Sequence, residues 1–136
     1  MTNDTACDTS VLIPALLTWH PAHEACRALL RDDLTHVPAH VLIEAFSVMT
    51  RLPSPHRVNG DDAAAVLGAL TLKPVTLTGS SHVRLLGLMA ARHLRGGAIY
   101  DGLVGLTATH HRLRLLTRDR RAMTTYDAVG ATYTVV

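Results

Sequence analysis

Four acidic side chains of this 136-residue sequence, Asp8, Glu44, Asp101 and Asp119, stand in or beside apolar stretches. Acid is otherwise sparse, and Glu24 and Glu44 are the only glutamates. Carboxylates that meet out of water repel, so such a group holds protons or shares a cation. Divalent Mg²⁺ answers that need, because a hard ion prefers oxygen ligands to imidazole or thiolate. A cation held in this way lowers the pKa of a bound water and offsets charge growing on a phosphate, which is phosphodiester chemistry. Taken singly, each acid also has a plainer reading. Asp8 would be a strand-end turn residue, Glu44 and Asp101 solvated helix positions, and Asp119 a helix N-cap.

The elements that must position these groups alternate short β-type runs with longer helical ones, the mark of a parallel α/β sheet. Thr5 to Val11 reads as a first strand that closes at or just after Asp8. A helix follows from about Pro14 and resumes over His23 to Arg31, beyond Pro21. Thr35 to Pro38 is a short strand, and His40 to Thr50 a helix with Val41, Leu42, Ala45, Val48 and Met49 at helical spacing. Pro53 and Pro55 mark a loop. Asn59 or Asp61 caps a helix over Asp62 to Leu70, and Lys73 to Leu77 is a third strand. Ser80 or Ser81 caps a helix from His82 to Leu94, ended by Gly96 and Gly97. Ala98 to about His111 is helical, Leu113 to Thr117 a strand, Arg120 to Tyr126 a helix and Ala131 to Val136 the last strand. With no repeat or linker, residues 1–136 read as one domain.

In open parallel sheets, functional residues gather beyond the carboxyl ends of the strands. Asp8 closes the first strand and Asp119 follows the fourth by two residues, so both tend to one edge. Glu44 and Asp101 each lie about one turn into a helix, and the Glu44 helix directly follows a strand.

The local contexts are Cys7-Asp8-Thr9-Ser10-Val11, Leu42-Ile43-Glu44-Ala45-Phe46, Ile99-Tyr100-Asp101-Gly102 and Leu115-Leu116-Thr117-Arg118-Asp119. In this order and spacing, with Arg51-Leu52-Pro53 after the Glu44 helix, the chain closely resembles the PIN-domain ribonucleases along essentially its whole length. Most of all it resembles the VapC toxins of prokaryotic toxin–antitoxin pairs. The resemblance implies a three-layer α/β/α sandwich with a parallel five-stranded sheet. It also implies a metal-dependent endoribonuclease in which Asp8, Glu44, Asp101 and Asp119 hold Mg²⁺ or Mn²⁺. Thr117 matches the hydroxyl residue two before the last acid, a support to the site, and Thr9 and Ser10 match small polar residues after the first. The partners it implies are RNA, a small antitoxin protein and a second copy in a homodimer; the periodicity of Val83 to Ala91 shows an apolar face buried either in the core or at such an interface.

Composition narrows the partners further. Net charge is only +2, yet twelve of the thirteen basic residues are Arg, with Lys73 alone, which suits a polyanion or reflects a GC-rich genome. Arg112, Arg114, Arg118, Arg120 and Arg121 bracket Asp119, and Arg118 and Arg120 are the best placed to meet RNA phosphates. Nine histidines lack the cysteines or spacing of a zinc site and read as surface or helix-end residues. Few aromatics argue against a broad base-stacking platform, and Trp19 reads as a packing or interface residue. Cys7 and Cys26 read as reduced core thiols. No secretory signal or membrane span is visible, so a cytoplasmic protein is expected. An Asp-nucleophile phosphotransferase is disfavoured, since Asp8 lacks a second Asp two residues on and the only Lys is Lys73. A non-catalytic PIN-fold RNA-binding or scaffold protein is the stronger rival.

Overall fold

A computed structural model describes residues 3–136. Five short strands, β1 (Thr5–Cys7), β2 (His36–Pro38), β3 (Lys73–Val75), β4 (Arg114–Thr117) and β5 (Tyr133–Val135), alternate with seven α-helices. The helices are α1 (Thr9–Leu16), α2 (His23–Asp32), α3 (Ala39–Thr50), α4 (Gly60–Gly68), α5 (Gly79–Ala91), α6 (Ala98–His110) and α7 (Met123–Ala128), with a 3₁₀ turn at Arg120–Ala122.

Every strand pair is parallel, but the ladders divide in two: β1-β4-β5 and β2-β3. This corrects the expected five-stranded sheet. At the seam between β1 and β2 a single backbone bond remains, from the Thr35 N–H to the Thr5 carbonyl at 3.1 Å. Side chains replace the rest: the Thr5 N–H donates to Thr35 Oγ1 at 3.0 Å, and the Thr5 hydroxyl donates to the Asp33 carbonyl at 2.6 Å. Pro38 in β2 and Pro74 in β3 carry no N–H, which shortens what either strand can pair.

α1 begins at Thr9, five residues ahead of expectation, because Asp8 caps it by accepting the Ser10 N–H. Pro14 therefore lies inside the helix rather than at its start. Beyond its end, the His23 ring donates from Nδ1 to the Pro14 carbonyl at 2.9 Å, satisfying an acceptor that a helix end leaves open. His23 starts α2 and is buried. Thr78, rather than Ser80 or Ser81, caps α5 by accepting the Ser81 N–H at 3.2 Å.

α5 also stops before its glycines. His93 takes a left-handed φ of 58°, its N–H bonds Ala90 and the Leu94 N–H bonds Met89, the paired bonds of a Schellman turn. α6 closes the same way with Arg112 at φ 57°.

The core is built from the strands and the inner helix faces, with Ala6, Cys7, Val11, Leu12, Val37, Val41 and Leu115 at most 1% exposed. Both cysteines are buried free thiols. α6 packs against α7 at Gly105, where a Cβ would lie 3.0 Å from both the Tyr126 ring and the Val129 side chain. That missing methyl lets α7 carry Tyr126 into the interior. No described helix is long and apolar enough to cross a membrane.

Candidate active site

Asp8 is the fixed point of the site. It follows β1, is 7% exposed, and its backbone N–H extends the β1–β4 ladder by donating to Leu116. Its Oδ1 accepts from the Ser10 N–H at 3.1 Å and the Ser10 hydroxyl at 2.5 Å. Its Oδ2 accepts from Thr117 Oγ1 at 2.5 Å and from the Tyr126 hydroxyl at 2.6 Å. Four donors use about as many acceptor positions as a carboxylate has. The group is locked in one orientation.

Thr117 ties two of the acids together. Fully buried at the end of β4, it donates to Asp8 and accepts the Asp119 N–H at 3.1 Å. Ser10 works alongside it, accepting the Arg118 N–H at 2.7 Å while its own proton goes to Asp8. Both hydroxyl protons are thus committed to Asp8, so the 3.3 Å approach of Ser10 Oγ to Thr117 Oγ1 is a contact rather than a bond.

Sequence reasoning missed Tyr126. An aromatic residue in an amphipathic helix reads as core, and at 1% exposure it is core. The hydroxyl is the exception, since a buried Tyr O–H needs a partner and here it is Asp8, 118 residues away. Burial first, and then the charge of Asp8, pushes the phenol pKa far up, so it remains a donor.

The other acids surround this anchor. Asp119 caps the 3₁₀ turn, its Oδ1 accepting the Arg121 N–H at 3.0 Å, so the plain capping role also holds. Glu44 points from α3, which follows β2 without a gap. Burial, then the charge of Asp8, pushes its pKa up. Asp101, in the first turn of α6, is pushed up to about 6 by burial, then by Asp119, Glu44 and Asp8 in turn. Asp101 and Glu44 thus lie within electrostatic reach of the other acids, with Asp8 acting on both and Asp119 on Asp101.

His40 Nε2 lies 3.3 Å from Glu44 Oε1, an ion-pair distance. Burial nevertheless pulls the His40 pKa down while it pushes Glu44 up, and Nε2 makes no hydrogen bond among the described residues. We read this as a contact between two groups that both resist charge. The His40 ring also stacks on Tyr100, with planes 3° apart and centroids 5.4 Å apart.

Oxygen donors, acids that repel one another and a buried Thr9 hydroxyl without a partner among the described residues all fit a hard divalent cation. No three His, Cys, Asp or Glu side chains among the described residues draw close enough to form a closed cage. Asp8 has no acceptor position to spare unless a hydroxyl turns away. The arrangement suits an ion that keeps much of its water, as Mg²⁺ does.

Beside the acids opens a groove of about 390 Å³ lined by Ser10, Ile13, Val48, His20, Arg118, Asp119 and Arg121. Arg121 rather than Arg120 joins Arg118 there, while Arg112 and Arg114 line a cavity at the opposite edge, where the strands begin. They cannot belong to the same rim.

A PIN-domain family model matches residues 6–128, a span that contains all four acids, Thr117 and Tyr126. The chain belongs to the PIN-domain family. This PIN domain is 44% identical over 124 residues to Ribonuclease VapC40 of Mycobacterium tuberculosis, covering 90% of this chain and 91% of the relative. It is 41% identical over 125 residues to Ribonuclease VapC27 of the same organism, covering 92% and 91%. It is a VapC-type PIN domain, as the resemblance implied.

Proposed function

We infer that this chain is an endoribonuclease, the toxin of a type II toxin–antitoxin pair. In this reading Asp8, Glu44, Asp101 and Asp119 hold a divalent cation, Mg²⁺ or Mn²⁺. The observation that carries it is a buried Asp8 held by Ser10, Thr117 and Tyr126, with Glu44 and Asp101 both pushed up by burial and by neighbouring acids. The relatives' names as ribonucleases supply the reaction class.

When bound, the cation would generate a hydroxide near neutral pH and offset charge on the scissile phosphate. The protein's part is to prepare the ligands. Thr117, Ser10 and Tyr126 fix the Asp8 carboxylate in one orientation, so it would meet the cation through a metal-bound water or after one of these hydroxyls turns away. Thr117 passes that order on to Asp119 through the Asp119 N–H. Glu44 and Asp119 complete the ligand set or orient the attacking water. Asp101, whose carboxyl is pushed up to about 6, gives up its proton readily on loading.

A small antitoxin would restrain the enzyme, and RNA is its substrate. A homodimer would use the outer face of α5, where Val83 and Leu86 are 69% and 65% exposed. Mapping RNA 5′ ends in cells expressing the chain, against an Asp101→Asn control, tests the activity. New 5′ ends at a few dominant positions, absent in the control, are expected. Identical maps would sink the reading in favour of a non-cleaving RNA binder.

A further inference from the structure

Among the described residues, two buried side-chain polar atoms lack a hydrogen-bond partner, Thr9 Oγ1 and His40 Nε2. Buried polar groups in folded chains are almost always paired, so each orphan needs a reason. Both stand beside an acid: Thr9 follows Asp8, and His40 lies one helical turn before Glu44 on α3. The His40 ring stacks on Tyr100, the residue before Asp101 on α6. It thus bridges two helices that each carry an acid of the site. The acids differ in how they are held. Hydroxyls fix Asp8, and the Arg121 N–H binds Asp119. For Glu44 the side chain at hand is His40, whose Nε2 lies 3.3 Å from Oε1 with no hydrogen bond formed. The Glu44 side chain is 36% exposed, so its carboxyl has room to turn towards the ring.

We propose that His40 is a positioning residue for Glu44: its Nε2–H donates to Glu44 Oε1 when the site holds its cation, and Tyr100 keeps the ring in place. This rests on the cation reading above and adds to it a residue outside the four acids. Carboxylates that ligate metals are themselves hydrogen-bonded, and losing such a partner costs about ten- to hundredfold in metal affinity. The proton belongs on Nε2, because a ring nitrogen that turns its lone pair to a carboxylate is repelled by it. In the metal-free chain the bond is unmade, which accounts for the orphaned nitrogen. A side-chain amide could replace the donor. A phenyl ring would keep the stack on Tyr100 and offer none.

The test separates positioning from packing through Mn²⁺ binding, read from the electron paramagnetic resonance of the free ion. His40→Phe is expected to weaken Mn²⁺ binding about tenfold, and His40→Gln to stay within about threefold of wild type. Tyr100→Ala should cost about threefold and Tyr100→Phe nothing. In a Glu44→Gln background, adding His40→Phe should change Mn²⁺ affinity by less than about twofold, since the pair acts as one unit. Urea unfolding in chelator should find His40→Phe no less stable than wild type, because the unmade bond burdens the metal-free chain. Nitrogen NMR of the imidazole, with diamagnetic Mg²⁺ at mildly alkaline pH, should place the proton on Nε2 and show its exchange slowed only when Mg²⁺ is bound. RNA cleavage by His40→Phe should be weak at low metal and recover in excess Mn²⁺. Equal Mn²⁺ affinity in His40→Phe and wild type overturns the proposal. So does a His40→Gln variant as weak as His40→Phe, an undiminished loss in the Glu44→Gln background, or a proton on Nδ1. A wild-type chain that binds no divalent cation sinks the cation reading and this proposal with it, whereas intact wild-type binding with His40→Phe unaffected sinks this proposal alone.

Discussion

Replacing Asp101 by Asn should make the metal-free protein more stable while destroying its activity. The Asp101 carboxyl is pushed up to about 6 from an ordinary value of 3.8, by burial and then by Asp119, Glu44 and Asp8. A folded-state pKa above the unfolded one means that ionisation opposes folding. The penalty is absent below about pH 4, grows as pH rises towards 6, and is complete above that. A shift of roughly two units corresponds to a ceiling of about 3 kcal/mol. Asp101 is half-buried, and discounting for solvent screening leaves about 1–2 kcal/mol. No hydrogen bond contributes to the shift, so Asn removes the charge without orphaning a partner. Urea unfolding followed by circular dichroism in chelator should show Asp101→Asn more stable by that amount at neutral pH and equal to wild type near pH 4. Adding Mn²⁺ should stabilise the wild type and leave the variant nearly unmoved. A variant no more stable than wild type at neutral pH would show that the acids do not crowd one another, and the reasoning would fail.

Tyr126→Phe removes one donor from a buried carboxylate, so it should cost about 1.5–3 kcal/mol in urea unfolding. It should also lower kcat more than it raises KM, because the loss falls on the orientation of Asp8 and not on RNA binding. Arg112→Gly should stabilise the chain by roughly 1 kcal/mol in the same assay, since it relieves a left-handed residue at the end of α6. Cleavage should not change, because Arg112 lies at the edge of the strands away from the acids.

What the sequence made legible follows from strong local rules. Asp8 and Asp119 could be placed at one edge because strand ends in parallel sheets collect at one side and both residues sit on a strand boundary. Glu44 could be placed because α3 follows β2 directly. Asp101 needed the resemblance, since α6 follows another helix and no strand end points to it.

Other features depend on contacts that no local pattern records. The Tyr126–Asp8 bond joins positions 118 residues apart and is hidden in a residue whose ring alone explains its burial. Thr78, Ser80 and Ser81 are all acceptable caps, and only the path of the chain out of β3 selects Thr78. His93 and Arg112 stand where glycine is usual, so the helix ends gave no signal. Closeness to Asp119 in sequence favoured Arg118 and Arg120, yet it is Arg121 that joins Arg118 at the groove, while Arg112 and Arg114 lie before and at the start of β4.

The central claim is that four carboxylates hold a divalent cation without which RNA is not cut. Its most direct test is the rate of RNA cleavage by chelator-stripped protein as Mg²⁺ or Mn²⁺ is titrated back, for wild type beside Asp101→Asn. The account predicts no cleavage without metal, saturable recovery in the wild type and none in the variant. Undiminished cleavage in excess chelator, or equal recovery by the two proteins, would contradict it.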